Sequence, residues 1–255
     1  MRYALPLILL GLLFIVSCQS SSDPAQSAVD GAIDFHGGKA YEGFRMEFDF
    51  RDKHYVVERE GGRFLYERHQ KDSTGADVRD ILTNEEAYRT INGKRQNVPD
   101  TTMSKYQNSV NSVAYFVLLP QPLNDPAVKK EYIGEATIKG KTYHKVHVSF
   151  AQEGGGKDFS DQFVYWFDKN DFSLDYLAYL YYTDETGLRF REAYNPKKVG
   201  GILVQDYINY APTDSAMAVT RENLLKMDQY FESGQLKELS RIENKNVKVQ
   251  SPVNK

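Results

Sequence analysis

Apolar residues recur along this chain with two spacings, the two-residue period of half-buried strands and the three- to four-residue steps of amphipathic helices. Phe44, Met46, Phe48 and Phe50 alternate with Arg45, Glu47, Asp49 and Arg51, which is a strand with one wet face. Arg51-Asp52-Lys53 is a turn, 54–60 a returning strand, Gly61-Gly62 the next turn and 64–68 a third strand. Asn92-Gly93 inside 88–98 is the strongest hairpin signal. Further strands are expected at 130–133, 136–138 and 142–150, and a last one over 237–249. The densest apolar block, 163–210, divides into four strands at the turns 168–171, 184–187 and 195–201, with no room for crossover helices. Its second strand is apolar on both faces, with Leu174, Tyr176, Ala178, Leu180 and Tyr182 on one side and Leu177, Tyr179 and Tyr181 on the other. Such a strand needs apolar cover twice, a helix outside and a core or ligand cavity inside.

Three stretches switch to helical spacing. Asp23-Pro24 is an N-cap followed by proline at the first helical position, and Ala28, Val29, Ala32, Ile33 and Phe35 form the apolar face that His36-Gly37-Gly38 ends. His36 reads as a C-terminal capping residue favoured by the helix dipole. From Asp100, residues Met103, Tyr106, Val110, Val113 and Val117 form a stripe that stops at Pro120-Gln121-Pro122. It lacks the basic flank of a membrane-surface helix, so it reads as a lid packed on the sheet. A third helix opens at Thr220, carries Leu224, Met227 and Phe231, and ends at Gly234. The fold class is therefore mainly β (α+β), one large antiparallel meander with about three helices packed on it or closing it.

The ends change the picture. Arg2 precedes an apolar run, 4–16, too short to span a bilayer and proportioned like a secretory signal core. The run closes on Ile15-Val16-Ser17-Cys18, which resembles the bacterial lipobox; Cys18 is the only cysteine. That resemblance implies a signal peptide over 1–17, an acylated Cys18 anchoring the chain to a membrane, and a short tether over 18–24. A single domain is expected over 25–250 and a frayed tail over 251–255. Gln19 rather than Asp after the cysteine favours the outer membrane. With its one thiol lipidated, the domain has no disulfide and depends on packing.

Charge and chemistry subtract more than they add. The formal net charge is −3 with no basic stripe, which argues against nucleic acid as a partner. His144 and His147 stand three apart on a strand, hence on opposite faces, and no spare thiol completes a zinc site. The Asp168-Lys169-Asn170-Asp171 turn lacks the glycine and distal glutamate of a calcium loop. Gly154-Gly155-Gly156 is not followed by the Lys-Ser/Thr pair of a phosphate cradle, and there is no Gly-x-Ser-x-Gly elbow. Asp158 and Asp161 are the carboxylates that would serve a hydrolase. No catalytic residue, metal ligand or cofactor is assigned.

The lipobox, the His36-Gly37-Gly38 helix end, the stretch Phe44-Arg45 to Phe48-Asp49-Phe50-Arg51-Asp52, and the later Tyr165-Trp166-Phe167-Asp168 turn leading to Leu174-Asp175-Tyr176 stand in an order that resembles an uncharacterised family of Bacteroidota envelope lipoproteins. The fold this implies is similar to that of the lipoprotein-sorting proteins LolA and LolB, an incomplete antiparallel β-barrel whose mouth is closed by helices around an apolar cavity. A membrane-anchored, non-enzymatic binder of a lipid or other hydrophobic ligand is the function that follows. Its candidate cavity residues are Phe48, Phe50, Trp166, Tyr176 and Leu180, with Phe116 and Val117 from the second helix. Placing them inward depends on register, because a slip of one residue reverses a strand. A glycan- or protein-binding module with a packed core, a hydrolase, and an envelope structural or assembly partner remain as alternatives.

Overall fold

The computed structural model describes residues 23–154, 158–182 and 186–251. Cys18 and the signal segment lie outside them. The first sheet comprises β1 (Gly43–Phe50), β2 (Lys53–Glu60), β3 (Arg63–Lys71), β4 (Asp77–Thr83), β5 (Ala87–Ile91), β6 (Lys94–Arg95) and, on the far side of β1, β14 (Asn244–Gln250). The second runs from β7 (Val128–Ile138) through β8 (Lys141–Phe150), β9 (Gln162–Asp168), β10 (Leu174–Tyr181), β11 (Gly187–Val199) and β12 (Ile202–Pro212) to β13 (Leu236–Ile242). Each is a seven-stranded antiparallel meander in spatial order of sequence, apart from β14. The chain crosses between them at Glu243, between β13 and β14. Asp206 on β12 secures that corner by accepting the backbone N–H of Asn244 at 2.8 Å and the Asn195 side-chain amide at 2.7 Å. β6 and β7 do not pair, so the two sheets form an incomplete barrel rather than a closed one.

Helix α1 (Pro24–His36) and helix α2 (Asp100–Leu118) occupy the inner side of this trough. Asp23 caps α1, accepting the Ala25 N–H at 3.0 Å. Ala25, Ala28, Val29 and Ala32 pack with Phe167, Leu174 and Leu177 of the second sheet. The approach is close: a Cβ on Gly31 would stand 2.7 Å from the Phe172 ring. In α2, Val110, Ala114, Val117 and Leu118 turn to Phe44, Met46, Phe48 and Tyr55 of the first sheet, while Tyr115 and Phe116 pack on the second. The other face of the second sheet is covered by α3 (Arg221–Leu224) and α4 (Met227–Glu232), over a third core containing Trp166, Tyr176, Leu180 and Phe190.

Buried charges fasten the helices. Asp80 on β4 accepts from Arg68 Nε and Nη2 at 3.0 and 2.7 Å and from Arg89 Nε at 2.6 Å. Arg68 also donates to Ser109 of α2 at 2.6 Å, and the Arg89 guanidinium stacks 3.5 Å from the Tyr106 ring. On the outer side, Lys145 donates to Asp228 of α4 at 2.8 Å and to the Leu225 carbonyl at 2.6 Å.

Four local expectations are corrected. The runs 130–133 and 136–138 are one strand, β7, with a bulge where Gly134 takes φ +105°. The stretch 195–201 is not one turn: β11 continues through a bulge after Tyr194 to Val199, and Gly200-Gly201 alone reverses the chain. The strand over 237–249 is two strands in two sheets. His36 is not a charged cap but a buried, neutral imidazole whose Nε2 accepts the Leu174 N–H at 3.0 Å, tying α1 to β10. Burial pushes its pKa down to about 4, against small upward pulls from the Leu203 carbonyl and Asp171.

Candidate functional site

The inner trough is not filled along its whole length. Between the C-terminal half of α2 and the second sheet lie two adjoining cavities that share Ser112, Phe116, Tyr179 and Arg191. The smaller, about 270 Å³, reaches Phe50, Val113 and Val117 on one side and Tyr207, Asn209, Ile242 and Asn244 at the sheet corner on the other. The larger, about 530 Å³, continues past Tyr115, Phe150 and Phe163 to a rim of Lys105, Asn108, Asp158, Asp161 and Arg189. Small-molecule sites commonly occupy about 300–1,000 Å³ and are mainly apolar with a few convergent polar groups. A depression of similar size at Asp49, His54, His69, Lys71, Arg79 and Lys245 is lined mainly by charged side chains.

The walls are aromatic because strands that face a helix at close range here carry alternating rings. Phe163 and Tyr179, paired across β9 and β10, stack with centroids 5.7 Å apart. Phe116 meets Tyr179 at 5.3 Å and Phe163 at 6.3 Å, and Phe150 stands edge-on to Phe163 at 5.8 Å. Tyr115 and Tyr165 close the deep end by a hydroxyl–hydroxyl bond of 2.6 Å, and burial raises both phenols above their ordinary range, so both remain protonated. Arg191 stands where the two cavities meet, its guanidinium 3.7 Å from the Phe116 ring centre and donating to the Tyr179 hydroxyl at 2.9 Å. At the rim, burial pushes the Asp161 carboxyl up to about 6, the backbone N–H of Tyr182 pulling it down and Asp158 pushing it further up.

The seven sequence-predicted residues separate into two groups. Phe50, Phe116 and Val117 line the groove, and Phe48 lies behind them, wholly buried in the first-sheet core. Trp166, Tyr176 and Leu180 do not join them: all three face away from the trough, into the core beneath α3 and α4. The reason is register. The pairing of β9 with β10 shifts between Leu174 and Tyr176, so Leu174, Leu177 and Tyr179 share the inner side and Tyr176, Ala178 and Leu180 the outer. Tyr115, Phe150, Phe163 and Arg191 were missed. Only Arg191 left a signal, as one of two arginines that flank Phe190 on the side of β11 opposite to Leu188 and Phe190.

Among the described residues no cluster of histidine, cysteine and carboxylates is placed to hold a metal, and His144 and His147 fall on opposite faces of β8. No helix among them is long and apolar enough to cross a membrane. No curated protein matches the chain in sequence. In structure it is similar to a LolA superfamily protein of Nitrosomonas europaea, with TM-score 0.50 and 8% identity over 90% of this chain and 95% of that one. More distant likenesses are a DUF1329 protein of Desulfovibrio piger (TM-score 0.41, 12% identity, 89% and 93% covered) and an outer membrane lipoprotein-sorting protein domain of Vibrio parahaemolyticus (0.38, 12%, 79% and 99%). The trough of two sheets with helices inside it is thus a LolA-like fold, and the chain itself, matched over residues 5–244, belongs to the family of unknown function DUF6503.

Proposed function

We propose that this protein is an envelope lipoprotein, held in the outer membrane by an acylated Cys18, that binds a lipid or other hydrophobic molecule between α2 and the second sheet without chemical conversion. The Bacteroidota resemblance of its sequence supports the same setting. The observation that carries the reading is the aromatic groove itself. Phe116, Phe163, Phe150 and Tyr179 surround unfilled volume on the inner side of a trough. Apolar walls that enclose space instead of each other forgo contact energy, which a ligand of matching chemistry restores. The likeness to a LolA superfamily protein supports the reading at the level of fold. An anchored binder of this kind acts as an acceptor or sensor rather than as a free carrier.

Native mass spectrometry of the chain beginning at Gln19, followed by organic extraction, tests it. A co-purifying acyl species near one per chain is expected. A ligand-free mass together with no uptake of added palmitic acid or phospholipid refutes it. A second reading, a carboxylate hydrolase, draws on Asp158 and Asp161 meeting at the groove rim with Asp161 raised to about 6. Turnover of model glycosides or esters that Asp161→Asn abolishes would establish that reading; the binder reading expects none.

A further inference from the structure

We propose that the groove selects ligands with an anionic head, a carboxylate or phosphate monoester on an acyl chain, and that Arg191 receives that head. This rests on the hydrophobic-ligand reading above. Arg191 is only 8% exposed, yet no carboxylate among the described residues lies within ion-pair distance of it. The other buried cationic side chains, Arg68 and Lys145, are each matched, to Asp80 and Asp228. Arg191 has instead one neutral hydroxyl, that of Tyr179, and the face of Phe116. Its Nε–H is buried and donates to nothing. A second orphan sits beside it: Asn209, its direct partner across β11 and β12, has a buried Oδ1 without a hydrogen bond. Both side chains line the smaller cavity, and a half-turn of the amide offers its N–H to the same oxygens that the guanidinium would bind.

A buried guanidinium without a counter-charge is costly and is retained where a ligand supplies the charge. A planar donor fork suits a carboxylate or a phosphate. With the head at Arg191, the acyl chain runs along Tyr115, Phe150 and Phe163 in the larger cavity.

The test uses the full-length protein in nanodiscs of neutral phosphatidylcholine and three probes with the same photoreactive saturated tail: palmitic acid, the lysophosphatidate and the primary alcohol. Labelled peptides and half-saturating concentrations are read by mass spectrometry. Charge-assisted hydrogen bonds of this kind predict half-saturation by the two anions about tenfold or more below that of the alcohol. In Arg191→Met, which keeps apolar bulk beside Phe116, the preference disappears, while Arg191→Lys retains part of it; thermal unfolding of each variant verifies the fold. Equal half-saturation by acid and alcohol in the native chain, or a preference that survives Arg191→Met, overturns the proposal and leaves the hydrophobic-ligand reading standing. Labelling of no groove peptide by any probe removes both. Competition by millimolar inorganic phosphate as effective as by unlabelled palmitic acid shows a site for a free anion and overturns the amphiphile.

Discussion

Acid should loosen this protein through one residue, His36. Its imidazole is wholly buried, and Nε2 already accepts the Leu174 N–H at 3.0 Å, so a proton there would set two donors against each other. Desolvation consequently lowers the folded pKa from 6.5 to about 4. A depressed folded pKa contributes stability that is complete above the unfolded value and is lost as pH falls through the folded one. Between pH 7 and pH 4 the loss comes to about 3 kcal/mol, with about 2 kcal/mol gone by pH 5. Asp161 acts in the opposite sense, since its raised pKa near 6 adds stability on acidification, so the native chain alone does not isolate the effect. The comparison is with His36→Gln, whose side chain accepts the Leu174 N–H but does not titrate. Urea unfolding at pH 7, 6, 5 and 4 should show the native chain more stable at pH 7 and the difference shifting toward the variant by about 3 kcal/mol at pH 4. A difference that stays constant with pH refutes the reasoning, as does an imidazole resonance for His36 titrating near its ordinary value.

Phe116→Asp should abolish uptake of a fluorescent acyl probe while leaving a cooperative unfolding transition, because Phe116 is half-buried against open volume. Leu180→Ala should do the reverse, costing about 2–5 kcal/mol in a urea titration with uptake intact below the transition, since Leu180 lies under α3 and α4. Asp228→Asn leaves Lys145 buried without its counter-charge and should destabilise by about 3–5 kcal/mol, and the double change Lys145→Met with Asp228→Leu should recover most of that loss. A non-titrating anionic amphiphile such as hexadecyl sulfonate should bind more weakly as pH rises through about 6, where Asp161 ionises in a groove it shares with Asp158, Lys105, Arg189 and Arg191. Asp161→Asn should flatten that profile, and an unchanged profile would show the carboxyl to be remote from the head.

Most of the meander was legible because its turns are written locally, in Asn92-Gly93, Gly61-Gly62 and the Asp168 turn, and its strands alternate cleanly. Both inner helices were legible for the same reason, with α1 bounded by Asp23-Pro24 and α2 ended by its prolines. What local pattern does not carry is which side of a doubly apolar strand faces in. For β10 that is decided by α1 and α4, some 140 residues before and about 50 after it in sequence, and by the bulge beside Leu174. Trp166, Tyr176 and Leu180 therefore stand on the side of the sheet opposite the groove. The switch of the chain between sheets at Glu243 was hidden too, because the strands on either side of it read as one polar, alternating run. Its cause is a carboxylate on another strand, Asp206, that holds the amide of Asn244.

Two separate sheets leave four edge strands, β6, β7, β13 and β14, and β6 and β7 lie at the ends of the two meanders that do not meet. Unpaired backbone along β6 and β7 is a template for strand-to-strand polymerisation. This chain blunts both margins. β6 is two residues long, Lys94 and Arg95, both exposed. β7 presents Lys129, Glu131 and Glu135 outward and is kinked at Gly134, so a neighbouring strand would find charge and a broken ladder. These two edges are thereby kept from seeding aggregates, and straightening β7 by deleting Gly134 should make solubility the first property lost.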